Sequence, residues 1–146
     1  MNANRARSIA YWLTTGFIAL EFAMSGAISV ARPPVVLTGL AHLGYPAYFP
    51  ILLGTWKLLG VLALLAPRFP RLKEWAYAGI MFDLTGAAFS HAASGDGAAD
   101  IIVPLVFAVV TLASWLLRPR SRTLGAILPS PREAASFRLE TIPAAQ

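Results

Sequence analysis

Four runs of apolar residues alternate with short polar stretches along the chain. The first extends from about Ser8 to Ala31 and carries one charge, Glu21. The second, from about Tyr48 to Ala66, carries only Lys57, and the third, from about Trp75 to Ala93, carries Asp83 and closes near His91. The fourth, from about Ile101 to Leu117, has no charge. Each run is roughly 17–24 residues long, the length a helix needs to cross about 30 Å of hydrocarbon. Chain breakers separate them: Pro33 and Pro34 end the first, Pro46 and Pro50 frame the start of the second, and Pro67 and Pro70 end it. Ser94-Gly95-Asp96-Gly97 divides the third from the fourth. The pattern predicts an all-α fold, a polytopic four-transmembrane-helix bundle over residues 1–122 with helices at about 8–31, 48–66, 75–93 and 101–117. After Arg118-Pro119 the composition turns to Pro, Ser, Arg and Ala, which predicts a flexible cytoplasmic tail over 123–146.

Composition strengthens this reading. The 146 residues are 57% hydrophobic and 13% charged, with a mean hydropathy of +0.62. Soluble domains carry about 25% charged residues. Half that density does not cover a folded surface in water. The length leaves no room for a separate soluble catalytic domain, so any site lies in or beside the helices. The absence of cysteine excludes a disulfide, a thiolate metal site and thiol redox chemistry. The net charge of +5 does not indicate nucleic acid, because the basic residues form no stripe among aromatics.

Their placement follows membrane topology instead. Arg5 and Arg7 precede the first run, Arg68, Arg71 and Lys73 separate the second from the third, and Arg118, Arg120, Arg122, Arg132 and Arg138 follow the fourth. With four spans these share one side, while Arg32 falls on the other with Asp96 and Asp100. Cytoplasmic loops hold the excess of Lys and Arg, so both termini are expected in the cytoplasm. A cleaved signal sequence fits less well, since Glu21 interrupts an apolar run already too long for one.

The charges within the apolar runs carry the candidate chemistry. At about 1.5 Å per residue, Glu21, Lys57 and Asp83 lie roughly 18, 14 and 12 Å from their cytoplasmic helix ends, within about 6 Å of one another in depth. A lone charge at that depth costs on the order of 2.5–3.5 kcal/mol, so all three are expected to turn inward, with Lys57 bridging two carboxylates. Small residues at helical spacing, Gly54 and Gly60 beside Lys57 and Gly79, Gly86, Ala87 and Ser90 beside Asp83, are expected to bring the backbones close on that face. Glu21, Ser25, Lys57, Asp83, Ser90 and His91 are therefore candidates for a ligand-binding or proton-handling pocket, titrating as a coupled group. The same residues equally describe a structural polar clamp that sets helix register.

His42 and Tyr45, in the first outer loop, are candidates on the outer face, with His91 at the outer end of the third helix. Two isolated histidines are a weak basis for a haem or metal, and no metal site is expected. Tyr11, Trp12, Trp75, Tyr77 and Trp115 sit near cytoplasmic helix ends, where interfacial aromatic belts are common.

The segment from His42 to His91, with HLGYP, GTWKLLG, APRFPRLKEWAYAG and FDLTGAA followed by Ser90-His91, resembles the DoxX-like family of small four-helix bacterial membrane proteins. Tyr11-Trp12, Thr15-Gly16, Ser25-Gly26, Pro104-Leu105 and Ser114-Trp115 extend the resemblance over roughly residues 8–122. It implies a multi-pass protein of the bacterial cytoplasmic (inner) membrane. It also implies an accessory or small-ligand subunit linked to membrane redox chemistry, with a quinone as the compatible ligand and no haem. The lipid bilayer is the expected partner, together with a redox complex or a second copy of the chain, and no nucleic acid. If the chain is an enzyme, it is a membrane oxidoreductase component. A non-enzymatic membrane chaperone or assembly factor, and a stand-alone enzyme acting on a small apolar substrate, are the alternatives.

Overall fold

Prolines begin helices in this chain as often as they end them. In the computed structural model, which describes residues 3–119, the elements are α1 (Ala3–Ala31), α2 (Pro34–His42), α3 (Phe49–Leu65), α4 (Pro70–Ala93) and α5 (Ala98–Leu117). The expected tail of 123–146, with Arg132 and Arg138, lies outside the described residues, as do Arg120 and Arg122. Pro34 and Pro70 stand in the first turns of α2 and α4, where the absent N–H has no intrahelical partner to lose. Reading Pro70 as a stop placed the start of the third long helix at Trp75. The structure corrects it to Pro70. Reading Pro33-Pro34 only as a break likewise missed the nine-residue α2. Among the described residues there is no strand.

The four long helices close a ring. α1 packs on α3 and α5, and α4 packs on α5 and, less closely, on α3. The core between them holds Ile18, Ala19, Phe22, Val61, Leu64, Ala76, Tyr77, Ile80, Leu84 and Ala108. α1 and α3 cross at Gly26 and Gly54: a Cβ on Gly54 would stand 2.5 Å from the Gly26 carbonyl oxygen and 2.9 Å from the Val30 amide nitrogen. The other glycines expected to pack backbones do not. A Cβ on Gly60, Gly79 or Gly86 would meet nothing within 4 Å.

Polar contacts define the two ends of the ring. At one end the Arg7 guanidinium donates to the Leu116 carbonyl at 3.0 Å, and Arg118 pairs with Glu74 at 2.8 Å. The Lys73 ammonium, fully buried, donates to the carbonyls of Ala63, Leu64 and Ala66, the last acceptors of α3. At the other end α2 meets the α4–α5 turn through His42 and Asp96.

The outward surface is apolar. Leu13, Phe17 and Leu20 on α1, Trp75, Phe82 and Phe89 on α4, and Val106, Val109 and Leu116 on α5 are exposed. Two helices, Asn4–Ala31 and Ala98–Leu117, are long and apolar enough to cross a membrane, and Phe49–Leu65 is apolar but shorter. α4 is as long, but carries Arg71, Lys73, Glu74 and Asp83.

Candidate functional site

The loose contact between α3 and α4 leaves a groove of about 550 Å³ open to the side of the bundle. Leu53, Trp56, Lys57, Leu59, Gly60 and Ala63 of α3 form one wall. Leu72, Trp75, Ala76, Gly79, Ile80, Phe82 and Asp83 of α4 form the other, and Phe22 of α1 closes the back. Gly60 and Gly79 make the space, because neither has a side chain to fill it. Trp56, Trp75 and Phe82 flank it with their rings mostly exposed. From Leu53 to Ala63 the groove runs about 15 Å along α3 at the helical rise.

One end of this apolar groove is charged. Lys57 Nζ lies 3.3 Å from Asp83 Oδ2 and 3.3 Å from Ser25 Oγ, and 4.9 Å from the centre of the Phe22 ring. The Lys57 and Asp83 side chains keep only 15% and 16% of their surface exposed. Glu21 stands behind them, with Ser25 and Lys57 as its polar neighbours. It forms no ion pair within 4 Å among the described residues, and its Oε2 is buried without a hydrogen-bond partner. Lys57 therefore pairs with one carboxylate rather than bridging two. Ser25, which accepts from the Lys57 ammonium at 3.3 Å, takes the place beside Lys57 that a second carboxylate was expected to fill.

The six residues expected in one pocket divide into two groups. Glu21, Ser25, Lys57 and Asp83 come together, while Ser90 and His91 belong to the outer end. There the Tyr45 hydroxyl and Ser90 Oγ lie 2.7 Å apart, and the Tyr45 ring stacks on Phe49 at 4.2 Å. Asp96 joins both histidines: His42 Nε2 is 2.6 Å from Oδ1 and His91 Nδ1 is 2.6 Å from Oδ2. These bonds, that of His42 first, hold the Asp96 carboxyl below its ordinary value. Among the described residues no group of three or more His, Cys, Asp or Glu is placed to hold a metal ion. Sequence reasoning counted Asp96 only as a loop charge. Its position five residues after His91, across a Ser-Gly turn, was the available signal.

A third polar network lies at the end marked by Arg118. The Ser114 hydroxyl is 2.7 Å from Thr15 Oγ1 and 2.8 Å from the Tyr77 hydroxyl. Trp115 Nε1 donates to Glu74 at 2.9 Å, and Arg118 lies 5.0 Å from the centre of the Tyr77 ring. Tyr11 and Tyr77 are buried and point into the bundle, which corrects their reading as interfacial aromatics. Trp12 and Trp75 remain exposed. Nearly every donor and acceptor in this network is matched, which suits a helix tie rather than a site.

The model of the DoxX-like family matches residues 13–114, a span that includes every side chain of the charged groove and of the outer cluster. No curated protein and no solved structure is significantly similar to the chain.

Proposed function

The chain belongs to the DoxX-like family, and from that premise we propose that it holds a small, quinone-like ligand in the α3–α4 groove, as an accessory subunit of membrane redox chemistry. In this reading α1, α3, α4 and α5 span the bacterial inner membrane, with both termini in the cytoplasm. The observation that carries it is the groove itself: apolar along most of its length, open sideways, and ended by Lys57 and Asp83. Ligand pockets of roughly 300–1,000 Å³ combine apolar walls with a few polar groups that orient the ligand. A groove opening onto hydrocarbon admits a molecule dissolved in the bilayer, and its polar head meets the ion pair. Glu21 and Ser25, behind the pair, are the groups through which a proton passes to or from that head.

Two of the four tryptophans, Trp56 and Trp75, line the groove and report occupancy. Titration of the detergent-solubilised protein with a short-chain ubiquinone should quench tryptophan fluorescence to saturation. Gly79→Leu, whose side chain fills open space in the groove, should abolish the saturable component. Quenching that stays linear, or survives in Gly79→Leu unchanged, would remove the groove as the binding site.

A further inference from the structure

Lys57 and Asp83 differ in what they ask of a ligand. The ammonium offers only donors and the carboxylate only acceptors. Their separation of 3.3 Å exceeds the roughly 2.7–2.9 Å of a tight charge-assisted hydrogen bond. The Phe22 ring stands 4.9 Å from the ammonium and closes the back of the groove, so the open approach to the pair is along the groove.

We propose that the site prefers a ligand with a hydroxyl head, a phenol, quinol or long-chain alcohol, to a carbonyl or ether head on the same apolar body, so that a quinone binds, but more weakly than its quinol. The proposal rests on the ligand-binding reading of the groove. A hydroxyl oxygen accepts from Lys57 and donates to Asp83 at once, closing a triangle over the 3.3 Å edge at ordinary hydrogen-bond lengths. A carbonyl or ether oxygen accepts from Lys57 but sets its lone pairs against those of Asp83 with nothing to donate, and two facing acceptors repel where water is scarce. A phosphodiester head is disfavoured for the same reason, with its charge added. The apolar body then lies between Gly60 and Gly79, toward Ala63 and Trp75.

The test compares 4-nonylphenol with its methyl ether, 4-nonylanisole, by thermal unfolding of the solubilised full chain. A ligand that binds only the folded state raises the melting temperature by an amount that grows with the logarithm of its concentration over its dissociation constant. In the wild type the phenol should act with an apparent affinity about tenfold or more above that of the ether. Asp83→Asn should lose most of that preference, and Gly79→Leu should lose the response to both probes. Equal affinities in the wild type, with both responses lost in Gly79→Leu, would overturn hydroxyl selection and leave the ligand groove standing. Equal responses in the wild type and Gly79→Leu would overturn both. Should Asp83→Asn fail to fold, the wild-type comparison decides alone.

Discussion

A charge within an apolar run is costly unless something answers it, and Lys57 and Glu21 are answered differently. Lys57 is answered by Asp83, Ser25 and the Phe22 ring, whereas Glu21 has only Ser25 close at hand. Removing Lys57 leaves Asp83 without its cation in a poorly hydrated place. Lys57→Met should therefore destabilise the fold by about 3–5 kcal/mol, and adding Asp83→Asn should recover part of that loss. Thermal unfolding of both single variants and the double variant measures the coupling, and additive losses would mean that the pair does not interact. Recovery of folding without ligand quenching would separate a binding site from a clamp. Asp96 is answered by two histidines, and its consequence is a pH dependence. A carboxyl held below its ordinary value of 3.8 adds stability above that value and loses it as the pH falls through its folded value. The melting-temperature gap between wild type and Asp96→Ala should be full near pH 6 and close in acid below about 3.8. A gap that widened in acid would contradict an ionised Asp96 held by the two histidines.

Between elements, the glycines separate what the sequence made legible from what it hid. The four long helices could be read from run lengths alone, because an apolar stretch bounded by turn residues has few other solutions. Small residues beside Lys57 and Asp83 suggested close packing, and at Gly54 that is so. Gly60 and Gly79 look the same in sequence but stand on either side of a gap, because a small residue is compatible both with contact and with space. Only the angle at which α3 meets α4 decides, and no local pattern encodes it. The two kinds of glycine should respond oppositely. Gly54→Ala drives a methyl group into the Gly26 backbone and should cost about 1–3 kcal/mol. Gly79→Ala meets nothing and should be neutral or stabilising by about 0.5–1 kcal/mol through helix propensity. Unfolding of the two variants under one condition makes the comparison, and equal losses would refute the gap. Lys73, Tyr11 and Tyr77 were hidden for a related reason. Each lies where a polar or aromatic residue suits a membrane surface, and inward rotation depends on partners far along the chain, such as Ser114 for Tyr77.

At the scale of the whole molecule, flanking cations among the described residues gather at one end of the ring. Arg7 reaches Leu116, Lys73 holds the end of α3, and Arg118 pairs with Glu74, so three of the flanking cations sit at one end of the ring. His42, His91 and Asp96 gather at the other. Two of these cations, Lys73 and Arg118, are buried in helix-end interactions, so the topological signal rests more on Arg5, Arg7, Arg68 and Arg71 than a count of charges suggests. Each arginine or lysine disfavours transfer of its segment across the membrane, and Arg68, Arg71 and Lys73, in the α3–α4 turn and the first turns of α4, lie between two apolar stretches where that effect is strongest. Reporter fusions after Arg7, within 68–73 and after Arg122 should therefore report cytoplasm, and fusions near Thr38 and Gly95 should report periplasm. Replacing Arg68 and Arg71 together by Gln should weaken the orientation and yield a mixed signal at Gly95, since Lys73 is already engaged with the α3 carbonyls. Replacing Arg32 should leave it unchanged. A cytoplasmic signal at Thr38 or Gly95 in the wild type would break the four-span arrangement. The side opening of the groove would then face water, and a ligand drawn from the bilayer could not reach Lys57 and Asp83.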